Sequence, residues 1–188
     1  MAKRTQIVCL HEGKQGRSID PVFINALVKA LKPSWIRPFV GSNLVRPIPC
    51  GGRGELIQRV PAALRACIRA GADTTLVVFA DVDHDKPDCE ALKAEFWRVA
   101  RDAGITETEF AQIVFAFAKD RLENWIQFLH TGSTDESQEG PRVQYNRQAA
   151  DAARFLADRC ANQTNDPPLP PSLAWSCGNW RDLVRRMK

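Results

Sequence analysis

The chain has 188 residues, 44% hydrophobic and 26% charged, the size and balance of one well-buried globular domain rather than two. No apolar run is long enough to span a bilayer. The net charge of +4 hides an asymmetry: residues 1–70 carry 12 Lys/Arg against 3 Asp/Glu, and residues 71–140 carry 6 against 15. A basic first third ahead of an acidic middle suits carboxylates set inside a positive surface that could hold a polyanion.

In chain order, Met1 to Gln6 shows no apolar signal region, so a cytoplasmic protein is expected. Gln6–Leu10 is a short apolar run and reads as a buried strand. Asp20-Pro21 starts a helix, with Asp20 as its cap, and Phe23, Ile24, Leu27, Val28 and Leu31 recur at helical spacing. Trp35–Val40 reads as an edge strand containing Pro38, and residues 41–53 as a loop rich in Gly, Pro and Arg. From Gly54 a second helix buries Leu56, Ile57, Val60 and Leu64, with Pro61 in its first turns and Arg59 on its outer side.

Thr75–Ala80 is the clearest strand, apolar throughout as for a parallel strand covered on both faces, and it runs into Asp81-Val82-Asp83-His84-Asp85. A third helix carries Leu92, Phe96 and Val99 inward and stops at Gly104. Ile113–Ala118 is another buried strand, and Leu122, Trp125, Ile126 and Leu129 open a fourth helix. Residues 131–142 read as a mobile polar loop, 145–160 as helix, Asn162–Pro171 as a proline-rich connector, and Ser172–Lys188 as a short helix docking back. The whole predicts an α/β fold, a mainly parallel sheet flanked by helices, with strands near 6–10, 75–80 and 112–118 at its centre. Residues 1–130 form the domain, and 131–188 a helical extension packed on it. The six cysteines lack any C-x-x-C pair, which argues against zinc and for reduced thiols, several of them buried at apolar positions such as Cys9 and Cys67.

In open parallel sheets, sites form beyond the carboxyl ends of the strands. Those ends carry His11-Glu12-Gly13, then Asp81-x-Asp83, then Lys119-Asp120 and Glu123. Carboxylates gathered from three strand ends need a cation, and a hard one with oxygen ligands, Mg2+ or Mn2+, is the natural partner. Asp20, His84, Asp85 and Glu123 are further candidates, though Asp85 or Asp88 could simply cap the next helix and His84 reads as an exposed loop residue. His11 could orient Glu12. Trp125 falls on the apolar stripe and reads as core. Arg46, Arg53 and Arg59 flank or enter the second helix and are candidate phosphate contacts. No G-x-x-x-x-G-K-[ST] loop is present.

An apolar strand ending in Glu12-Gly13, followed by a helix and later by a strand ending in Asp81-x-Asp83, resembles the Toprim signature over about Ile7 to Leu129. Toprim domains are shared by topoisomerases, bacterial primases, recombination mediators and the overcoming-lysogenization-defect nucleases. Glu123-Asn124-Trp125 is similar to a Glu-x-Trp feature of stand-alone Toprim-like proteins, some of whose relatives belong to bacterial anti-phage systems. The resemblance implies that Glu12 acts as general acid or base, and that Glu12, Asp81 and Asp83 hold Mg2+ (or Mn2+) against a phosphodiester. It also implies nucleic acid as the partner, a companion protein such as an ATPase, and a nuclease active in antiviral defence. Tyr145 is the single tyrosine and lies outside the core, which disfavours topoisomerase-like cleavage. The alternatives are a non-catalytic Toprim-like module that binds a partner protein, and, less well matched, a nucleotide-sugar transferase.

Overall fold

A computed structural model describes residues 4–14, 16, 18–34, 36–38, 44–140, 146–162 and 166–187. Trp35 and the end of the strand expected near it, together with Tyr145, lie outside the described residues. The strands are β1 (Arg4–His11), β2 (Arg37–Pro38), β3 (Val45–Pro49), β4 (Thr74–Val82) and β5 (Val114–Lys119). The helices are α1 (Asp20–Leu31), α2 (Arg53–Ala70), α3 (Cys89–Asp102), α4 (Glu107–Phe110), α5 (Leu122–Thr131), α6 (Asn146–Asn162) and α7 (Pro171–Arg186).

Every strand pairing is parallel, in the order β3-β1-β4-β5, with the two-residue β2 beside the start of β1 on the same side as β3. Cys9 stands opposite both Pro47 and Val77, and Asp81 opposite Ala118. The apolar runs read as strands therefore are strands, but β5 is an edge and only β1 and β4 are central. β3 corrects the expectation of a loop. Its prolines at 47 and 49 are tolerated because an edge strand needs amides on one side only.

Side chains alternate across the sheet, so each strand feeds two cores. Ile7, Cys9, Val77, Phe79, Val114 and Ala116 pack with α1, α5, α6 and α7 on one face. Leu10, Leu76, Val78, Ala80, Phe115 and Phe117 pack with α2 and α3 on the other. Trp125 is fully buried in the first core, where Phe23 and Phe79 meet it at ring separations of 6.2 and 5.8 Å. Pro61 lies well inside α2 rather than in its first turns, on the buried face.

The extension is integral to this domain. α6 supplies Ala149, Ala152, Ala153 and Leu156 to the first core. α7 spans sixteen residues and lies along the outer edge of β5. There the Phe117 and Lys119 amides donate to Ser176 Oγ (3.0 Å) and Ser172 Oγ (3.1 Å), and Asn179 Nδ2 donates to the Phe115 carbonyl (2.9 Å). Three polar residues one turn apart on a helix thus satisfy the edge that a further strand would otherwise occupy. The loop read as mobile is tied to the same spot: Glu136 accepts from the Ser172 amide at 3.3 Å, and Asn124 Nδ2 donates to the Gln138 carbonyl at 3.1 Å. Packing of α6 beside α7 brings Cys160 and Cys177 to a Cα separation of 5.9 Å in a disulfide, against the expectation of reduced thiols throughout. Cys9, Cys50, Cys67 and Cys89 are free and buried, and burial raises the pKa of each thiol. No helix among the described residues is long and apolar enough to cross a membrane.

Candidate functional site

Because all strands run the same way, their carboxyl ends share one edge of the sheet, and the crossovers to α1, α3 and α5 leave from it. Beyond that edge lies an open cavity of about 460 Å3. Its walls include Glu12 and Asp20 from the β1–α1 connection, Asp81 and Asp83 from the end of β4, and Asp120 and Glu123 from the β5–α5 turn. Lys14 and Arg121 are the basic residues among the cavity's lining. Three strand ends therefore bring six carboxyl side chains to one place.

Local backbone geometry sets each of them. β4 runs through Val82, so Asp81 is still a strand residue, and alternation after Val77 and Phe79 carries it to the α1/α5 face. Gly13 lets the chain fold tightly after Glu12; a methyl group there would collide with Ser18. Asp120 has φ of +63°, a left-handed conformation uncommon outside glycine, and it turns the chain from β5 into α5.

The electrostatics divide the cavity in two. Glu12 Oε2 accepts a hydrogen bond from the Asp81 amide at 3.2 Å, which fixes the glutamate against β4. Burial raises the Glu12 pKa above the usual carboxylate range, partly offset by that amide. Asp81 is raised further, first by burial and then by the charges of Asp20, Glu12, Glu123 and Asp83. Asp120 is nearly buried; its Oδ1 lies 3.2 Å from the exposed His84 Nε2, and its Oδ2 accepts no hydrogen bond, with Arg121 Nε 3.4 Å away. Asp83 and Asp85, by contrast, are roughly half exposed and share the guanidinium of Arg53.

Several expectations shift accordingly. Asp20 does not cap α1; Ile19 holds that position, and Asp20 Oδ2 instead meets His11 Nδ1 at 3.2 Å. His11 is buried and orients Asp20, not Glu12. Asp88, not Asp85, caps α3, accepting from the Ala91 amide at 2.8 Å. Of the three arginines expected to meet phosphate, Arg53 reaches the rim of the cavity. Arg59 turns to Glu55 (2.8 Å), and Arg46 is an exposed residue of β3 opposite Val8. The pairs Arg53–Asp83 and Arg53–Asp85 join residues 30 and 32 positions apart, and no sequence pattern announces them.

Among the described residues, no three His, Cys, Asp or Glu side chains are drawn together as a ready-made metal group. The donor set nevertheless fits a hard dication: carboxylate oxygens only, the Glu12 and Asp81 carboxyls with pKa raised first by burial and then by neighbouring carboxylates, and a buried Asp120 oxygen that accepts no hydrogen bond. Fold and site together define a parallel α/β domain with a carboxylate-rich cavity beyond the carboxyl ends of its strands. No family model matches the chain, and no curated protein matches it in sequence.

Proposed function

We propose that this chain is a Toprim-type enzyme that hydrolyses nucleic-acid phosphodiesters with Mg2+ or Mn2+, in the cytoplasm and in the service of bacterial anti-phage defence. The observation that carries the reading is the meeting of Glu12, just past β1, with Asp81 near the end of β4 and Asp83 just past it in one cavity, Glu12 being hydrogen-bonded to the Asp81 amide. The residues that would hold the cation are Glu12, Asp81 and Asp83, with Asp120 and Glu123 beside them. When bound, it would neutralise charge on a phosphate oxygen and make a water more acidic. Glu12 handles the proton. Its burial raises its pKa toward the working range of a general acid or base, and the Asp81 amide holds its Oε2. Lys14, Arg121 and Arg53 stand near enough to the cavity to meet the anionic backbone.

The test is cleavage of labelled DNA and RNA with each divalent ion. Glu12→Gln keeps shape and removes proton transfer, so the rate is expected to fall on the order of 10²–10⁴-fold. Asp81→Asn is expected to weaken metal binding and to be partly rescued by more Mg2+. Equal cleavage by wild type and Glu12→Gln removes Glu12 from the mechanism. The ion pairs that already neutralise Asp83 and Asp85 favour a second reading, a non-catalytic module that binds a partner protein. No cleavage by any form on either substrate would select it.

A further inference from the structure

Arg53 is the first residue of α2 and reaches from there to the loop after β4. Its Nη1 donates to Asp83 Oδ2 at 2.9 Å and to Asp85 Oδ1 at 3.0 Å, and its Nη2 donates to Asp85 Oδ2 at 3.0 Å. One guanidinium thus grips Asp85 with both prongs and Asp83 with one. The arginine is largely covered (22% exposed), whereas Asp83 is 54% and Asp85 49% exposed. Asp83 lines the acidic cavity, and Asp85 does not. One of the two carboxylate oxygens of Asp83, Oδ2, is thus already held by a cation belonging to the protein.

We infer that Arg53 is a resident counter-cation of this site: it holds Asp83 until a divalent ion claims that carboxylate, and then turns to a phosphate of the nucleic acid. The inference rests on the metal-and-phosphodiester reading above. A dication on the same carboxylate repels a guanidinium a few ångströms away and so weakens its hold on Asp83. The single-pronged pair with half-exposed Asp83 is weak and readily exchanged, which makes release of that carboxylate inexpensive. A phosphodiester oxygen can accept from the Arg53 Nη1 that Asp83 gives up, and it carries its own negative charge into the region that the metal has made more positive. Asp85 lies outside the cavity and keeps Arg53 beside the site when Asp83 lets go. Metal and nucleic acid are then coupled, each favouring the arrangement that the other needs. The carboxylate rim is screened from a stray divalent ion until a strand arrives to receive the arginine.

The experiment is calorimetric titration of the full chain with Mn2+ in the absence of nucleic acid, for wild type, Arg53→Ala, Arg53→Gln and Arg53→Lys. Removing the competing charge is expected to tighten Mn2+ binding about tenfold in the Ala and Gln variants, while Lys stays near wild type. Binding of a single-stranded oligonucleotide, measured with Mn2+ in a Glu12→Gln background so that the strand survives, is expected to weaken in the same two variants. Its salt slope should drop by about 1, the signature of one lost phosphate contact. Thermal melts of the four proteins check that each is folded, and two neutral replacements guard against one of them failing. Mn2+ affinity unchanged or weaker in Arg53→Ala and Arg53→Gln, with wild type binding Mn2+, overturns the exchange and leaves the metal site standing. No Mn2+ binding by any of the four overturns both.

Discussion

A single residue, Val82, separates Asp81 from Asp83, yet the floor and the rim of the cavity obey opposite electrostatics. On the floor, partly buried Asp81 lies near Glu12, Asp20 and Glu123, and its charged form is disfavoured. At the rim, Arg53 binds Asp83 and Asp85, Lys86 stands 3.4 Å from Asp85, and the Asp85 pKa is lowered, chiefly by its hydrogen bond from Arg53. The floor is a fold held under charge strain by its packing. The rim is a compensated surface. A site built this way keeps a strong demand for positive charge in one place and a ready supply of it next door.

That contrast can be sharpened or broken by three measurements. The largest effect is expected from the cation itself. At a hundred times its Kd, Mg2+ or Mn2+ should stabilise the folded chain by about 2.7 kcal/mol, seen as a higher melting temperature, and should do nothing for the double variant Asp81→Ala/Asp83→Ala. An equal rise in both proteins would place the ion elsewhere.

The next effect is on the metal-free protein. A carboxyl whose folded pKa lies above its unfolded value leaves the native state holding the extra proton. Stability therefore falls as pH rises from the ordinary aspartate range near 4 through the native pKa. Asp81→Asn removes that penalty, so at pH 8 without divalent ions it should be more stable than wild type. The difference should shrink toward pH 4. Urea denaturation at both pH values reads it, and a difference that does not change with pH would mean Asp81 is compensated after all. The smallest effect belongs to the rim: Asp85→Asn should leave the melting temperature nearly unchanged, since exposed ion pairs contribute little and salt screens them. A large loss there would make the rim structural.

The strands were readable because burial on both faces leaves no room for polar residues: Thr75–Ala80 and Ile113–Ala118 are apolar without interruption. Their shared direction puts Glu12, Asp81 and Asp83 on one edge of the sheet. β3 was hidden by its own prolines, which argue against a strand everywhere except at a sheet margin. The His11–Asp20 contact was hidden for a different reason. Aspartate before proline is a strong capping signal, and the buried histidine nine residues earlier outcompeted it. The Arg53 ion pairs and the Cys160–Cys177 disulfide depend on how separate elements meet, and nothing local encodes that.

The stripe of Ser172, Ser176 and Asn179 on α7 has a consequence beyond stability. A parallel sheet whose last strand is open can, in principle, go on recruiting strands from other molecules, and the apolar run Ile113–Ala118 would be an attractive template for it. Here the outer amides of Phe117 and Lys119 and the outer carbonyls of Phe115 and Phe117 are already taken, by hydroxyls and an amide that no foreign backbone can extend. The polymer that the sheet could have started is terminated inside its own chain, and Ser172, which also accepts the indole N–H of the buried Trp125 at 2.8 Å, ties that terminator to the core.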